Sequence, residues 1–238
     1  MKKNSRNPAK EDLGEFLDIA SEVIVSPHGV MQELTGYSFV IGKSPSEERT
    51  NRDPPSEMSK DREIIPIDEY LGLYEPNKMK ITIFNKGLRR ASEILGCNIE
   101  HLGMIVRCHE WAHAIIHVGV TDDERLQASQ SDEGWQKILH KHTEIYAGID
   151  DRLHEVFAQL LTYYALQGKE ERCTRQVSKN TLDRIIKLFF NLNKHQPTEY
   201  RINNLTEISR DRFMKSIDLV KRGNLRLSYG AWETITTW

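Results

Sequence analysis

The sequence predicts an α+β protein, mainly helical, with a small β-sheet or hairpin ahead of one long helix. Three observations lead there. Residues 98–118 form the strongest helical segment, with Asn98 placed to cap it and Gly119 to end it. Ahead of it lie two short runs rich in β-branched or aromatic residues, Leu71–Tyr74 and Met79–Phe84, split by Pro76-Asn77-Lys78. Behind it come further helical segments at 151–167, 181–193 and 206–222.

The remaining elements follow in order. Residues 1–10 read as a polar tail, and Leu13, Phe16, Leu17, Ala20 and Ile24 space a helix over 12–25 that Pro27–Gly29 should end or kink. The segment KSPSEERTNRDPPSEMSKDR (43–62) has three prolines, many charges and one Met as its only large apolar residue, and is expected to be a flexible linker. A helix is expected over 87–95, stopped by Gly96. Residues 121–133 read as an exposed loop or short surface helix. The chain thus divides into an N-terminal helix plus linker (1–62), a core (63–175) and a helical C-terminal region (176–238).

Composition bounds the function. At 38% apolar and 29% charged, the chain can build a hydrophobic core, so disorder throughout is excluded. No stretch approaches the roughly 18 apolar residues of a membrane span, and the start has no apolar run behind its basic residues, so no membrane partner and a cytoplasmic location are expected. Cys97, Cys108 and Cys173 form no CxxC pair and no disulfide framework. Residues 168–238 carry 14 Lys or Arg against 8 Asp or Glu, a local +6 in a chain of net −2. Such a basic end can attract a regulatory partner or nucleic acid, or simply be solvated.

The chemistry concentrates at residues 108–119, CHEWAHAIIHVG. His109-Glu110-x-x-His113 is the HExxH pattern. Residues four apart share a helix face, so two imidazoles reach one metal from one rigid element, and zinc accepts neutral imidazole nitrogen. Glu110 lies about 100° round the helix from His109, close enough to act as general base on a water without being a ligand. Met104, Ile105, Cys108, Trp111, Ala112, Ile115 and Ile116 fall on the opposite, apolar face. His117 is about 12 Å along the helix from His109 and cannot share a metal with both other rings. It is either a support for the site or a packed histidine.

A catalytic zinc takes three protein ligands and keeps one open position. The strongest candidate for the third is Glu155. Its helix is apolar round most of its girth yet keeps a narrow polar strip of Glu155, Gln159 and Thr162, and a buried carboxylate needs a partner or a metal. His154, Asp150, Asp151, His142 and Glu144 are the other candidates. Donors for a developing oxyanion would come from Tyr146, Tyr163, Tyr164, His140 or His142.

These residues resemble the zincin metallopeptidases, and among them the ImmA/IrrE-like group. LGLYEPNKMKITIF (71–84) resembles that group's hairpin, HEWAHAIIH (109–117) its HExxHxxxH run, and LHEVFAQLL (153–161) its later helix. The resemblance implies His109 and His113 as zinc ligands, Glu110 as the base and Glu155 as the third ligand. The sequence departs from the group's pattern at Ala112, where glycine is usual, and in placing Glu155 two residues before Phe157 rather than four. The expected function is zinc-dependent hydrolysis of a protein or peptide. The competing expectation is a regulatory or nucleic-acid-binding protein with a structural or silent zinc site, although no zinc-finger spacing is present.

Overall fold

The computed structural model describes residues 27–55, 70–149, 151–167, 179–196, 200–202 and 210–221. The expected helix over 12–25 lies outside them. The first described element is α1 (Pro27–Thr35). Pro27 opens this helix, because a first-turn residue needs no amide N–H and proline's φ already suits a helix.

Three strands follow, β1 (Ser46–Thr50), β2 (Gly72–Glu75) and β3 (Lys80–Phe84), in the spatial order β1-β3-β2. β2 and β3 form the expected antiparallel hairpin, turning through a 3₁₀ segment at Pro76–Lys78. β1 runs parallel to β3 on its other side. This corrects the linker expectation for the start of 43–62. The strand SEERT has no apolar face, but its ladder to β3 satisfies the backbone, and its charges are matched. Glu48 meets Lys80 at 2.6 Å, and Glu47 accepts from Arg107 Nε at 2.8 and 2.9 Å and from Trp111 Nε1 at 2.6 Å. Strand β3, whose Ile81 and Ile83 are buried, is central, and the sheet's edges are β1 and β2.

Helix α2 (Asn85–Leu95) stops at Gly96, which takes the left-handed φ of 59°. Helix α3 (Ile99–Val118) is the expected long helix. Asn98 Oδ1 accepts from the amides of Glu100 (2.7 Å) and His101 (3.1 Å). At its other end the Lys221 ammonium donates to the carbonyls of Ile115 (3.3 Å), Ile116 (3.0 Å) and His117 (3.2 Å). Burial lowers this amine to about 7; when protonated it gives all three protons to carbonyls at the end of the helix and sets a cation at the negative end of its dipole.

Helix α4 (Asp122–Ser129) carries a capping box between Thr121 and Glu124. Helix α5 (Asp132–Ala147), capped by Ser131, was not anticipated. Its buried and half-buried positions, Trp135, Ile138, Leu139, His142, Ile145 and Tyr146, recur at helical spacing. Helix α6 (Asp151–Leu166) is buried along most of its length and packs on α3. Helix α7 (Lys179–His195) and helix α8 (Arg210–Lys221) complete the described chain. One hydrophobic cluster joins Val30 of α1, Ile81 of β3, Ala112 of α3, Phe157 of α6, Phe189 of α7 and Phe213 of α8. Helix α3 crosses its middle and is buried on both faces, Glu110, His113 and His117 included. Among the described residues, no helix is long and apolar enough to cross a membrane.

Candidate metal centre

His109 and His113 stand one turn apart on α3 and turn their Nε2 atoms to a common point, 3.1 Å from each other. Their rings are nearly perpendicular, at 87°. Glu155, in the first turns of α6, brings Oε2 to 3.3 Å from His109 Nε2 and Oε1 to 3.4 Å from His113 Nε2. These three residues are the cluster among the described residues whose ligand atoms gather closely enough to hold a metal ion. Their spacing fits. Tetrahedral coordination at 2.0–2.1 Å places neighbouring ligand atoms about 3.3–3.4 Å apart. The donor set fits as well: two imidazole nitrogens and a carboxylate pointed at one spot repel unless a proton or a cation lies between them.

The electrostatics express that tension. Burial raises the Glu155 carboxyl, but His113 and His109 outweigh it and hold the group well below the usual carboxylate range. Burial lowers His109, and the adjoining carboxylates of Glu155 and Glu110 more than reverse this. Both shifts favour the charged forms, an imidazolium at His109 beside a carboxylate at Glu155, at the point where the three ligand atoms meet.

Glu110 is not part of the cluster but lies beside it. Burial raises its pKa above the ordinary value, against the pull of His109 and His113, and the backbone N–H of Tyr74 donates to its carboxylate. Strand β2 thus holds the group. Its contact is close at Gly72, where a Cβ would lie 2.7 Å from Glu110 Cγ and Oε1 and 2.8 Å from Val106 Cγ1. Only glycine leaves the carboxylate room to rest against the strand. The Phe84 amide donates to the Leu71 carbonyl, so by antiparallel alternation Gly72 and Tyr74 turn their peptide groups away from β3. Among the described residues no further strand pairs with that edge.

His117 has a different environment. Thr143 Oγ1 donates its one proton to the Leu139 carbonyl at 2.8 Å, so it accepts from His117 Nε2–H at 3.0 Å. Nδ1 is then the acceptor for the Tyr74 hydroxyl at 2.7 Å. Burial, reinforced by Lys221, His142 and His154, lowers this imidazole to about 3 and keeps it neutral. His117 is a packed, fully bonded histidine that holds Tyr74 and hence β2.

The other third-ligand candidates lie elsewhere. His142 Nε2 faces Glu124 at 3.2 Å, Glu144 meets His140 at 3.3 Å on the surface, His154 Nε2 donates to the Tyr146 carbonyl at 2.8 Å, and Asp151 is exposed. Asp150 lies outside the described residues. Of the oxyanion-donor candidates, Tyr146 is brought to the centre, its hydroxyl 3.4 Å from His113 Nδ1. Burial first, then Tyr74, Glu155, Glu110 and Asp151, hold its pKa well above the ordinary phenol, so it stays protonated. Tyr163 and Tyr164 pack instead among Phe189, Phe190 and Phe213. In the polar strip of α6, Gln159 and Thr162 are buried, and Thr162 bonds back to the Ala158 carbonyl at 2.7 Å. Sequence reasoning missed Gly72, Tyr74, Thr143 and Lys221. None lies in the HExxH segment, and only the glycine in a strand carried a signal.

No protein-family model, curated protein or solved structure matches the chain. Fold and site together define a mainly helical α+β protein. A three-stranded sheet precedes a helix bearing His109-Glu110-x-x-His113, which matches a zincin-like core. With Glu155 it carries a cluster able to coordinate a metal ion.

Proposed function

We propose that the protein is a zinc-dependent hydrolase, a metallopeptidase of the HExxH type most similar to the ImmA/IrrE-like group. His109, His113 and Glu155 are its metal ligands and Glu110 its catalytic base. Residues 63–175 carry the site, with α1, β1 and α8 packed onto it. The observation that carries this reading is the meeting of two α3 imidazoles and one α6 carboxylate at 3.1–3.4 Å, beside a second carboxylate that is not a ligand.

Zinc held there supplies a Lewis acid that polarises a carbonyl and acidifies water at neutral pH. The rest falls to the protein. Glu110, raised by burial, is suited to take a proton from the attacking water and return it to the leaving amine. The Tyr74 amide and the close approach to Gly72 hold its carboxylate toward the cluster. With the Tyr74 amide given to Glu110, the outward Tyr74 carbonyl and Gly72 peptide groups are what β2 offers to an extended peptide laid beside it. The edge proposed for this is therefore β2, since β3 is central.

The test uses protein purified with zinc and a mixture of denatured polypeptides as probe. Glu110→Gln is expected to keep about one zinc per chain, as a single three-ligand site requires, and to lose hydrolysis by about 10²–10⁴-fold. Full activity in that variant would rule out the mechanism.

A further inference from the structure

An imidazole that binds a metal through Nε2 has an N–H left at Nδ1, and the acceptor found there fixes its tautomer and ring angle. For His113 the group at that position is the Tyr146 hydroxyl, at 3.4 Å, the long end of hydrogen-bonding reach. Tyr146 lies in the last turn of α5, outside the HExxH segment and outside α6.

Tyr146 is itself held firmly. Its ring lies 3.8 Å, centroid to centroid, from His154 and 4.8 Å from His117, with Tyr74 at 6.4 Å edge-on. Its backbone carbonyl accepts from His154 Nε2 at 2.8 Å. His154 immediately precedes Glu155. One turn of α6 therefore does two things: Glu155 enters the cluster, and His154 fixes the tyrosine that faces His113. The circuit closes where Glu155 and His113 meet at 3.4 Å.

We infer that Tyr146 is a positioning residue of the metal centre, its hydroxyl accepting the Nδ1–H of His113 and so presenting Nε2, unprotonated, to the ion. This rests on the metal-site reading above. Packing alone does not need the hydroxyl, because a phenylalanine ring would make the same ring contacts. Tyr146→Phe separates the two roles.

The experiment measures zinc affinity by chelator competition in wild type and Tyr146→Phe, with the thermal midpoint of both metal-free proteins. The inference expects wild type to bind about one zinc, and the variant to bind it about 10–100-fold more weakly with little change in midpoint. Affinity within twofold of wild type overturns the inference and leaves the metal site standing, whereas a wild type that binds no zinc overturns both. Ring-nitrogen NMR of zinc-loaded wild type tests the same point without any variant. His113 is expected to carry its proton on Nδ1, and zinc bound through Nδ1 overturns the inference.

Discussion

Three histidines recur at four-residue spacing along α3, and they do different things. His109 and His113 turn toward a shared point where Glu155 meets them. His117, one turn further, is sealed between Tyr74 and Thr143, with both ring nitrogens spent on hydroxyls. Spacing on a helix decides which side chains share a face. What each imidazole becomes is decided by the partner that another element brings: a carboxylate from α6 makes two of them part of a cluster able to hold a metal ion, and a threonine from α5 makes the third a structural bond.

The sharpest way to break that contrast is at the ligands. His113→Ala is expected to abolish stoichiometric zinc binding, measured by metal analysis after dialysis, while His117→Gln retains about one zinc per chain, as expected for a single three-ligand site. Loss of zinc from both variants alike would erase the distinction.

The second difference is in stability against acid. The folded pKa of His117, about 3, lies below its unfolded value of 6.5, so the unfolded chain binds the proton first as pH falls. The stability associated with a neutral His117 is complete above pH 6.5 and is lost progressively toward pH 3. Urea midpoints of the wild type should fall over that window, and His117→Gln should flatten the fall. An unchanged slope would mean the ring is not held neutral.

A smaller effect is expected where α8 grips α3. Lys221→Met leaves the carbonyls of Ile115, Ile116 and His117 without their donor and should cost about 1–3 kcal/mol by urea unfolding. The smallest is expected at Gly72→Ala. The new methyl group must displace the Glu110 side chain or Val106, lowering hydrolysis of the polypeptide probe with zinc content unchanged. A loss on the order of tenfold corresponds to about 1.4 kcal/mol of misplacement.

Much of this contrast was legible in the sequence, and the reason is local. The cap at Asn98, the glycines after α2 and α3 and the four-residue histidine spacing all act within one element. Glu155 was legible because a carboxylate on the narrow polar strip of a helix apolar round most of its girth needs a partner or a metal. Strand β1 was not legible, because SEERT carries no period-two apolar pattern. Its stability comes from β3 and from Arg107 and Trp111, 60 and 64 residues distant from Glu47. Lys221 was hidden for the same reason, since it reads as one more basic residue in a basic end until its carbonyl partners, 104–106 residues away, are known. Helix α5 has a readable helical pattern from Trp135 to Tyr146, in a stretch beyond the 121–133 segment to which no element is assigned from the sequence.

Anomalous diffraction at the zinc edge, from crystals of the full chain grown with zinc, tests the central claim most directly. The account predicts one strong peak bonded to His109 Nε2, His113 Nε2 and a Glu155 oxygen, with Glu110 beside it and unbonded. A fully zinc-exposed crystal with no peak there, or with Glu110 as a ligand in place of Glu155, would contradict it.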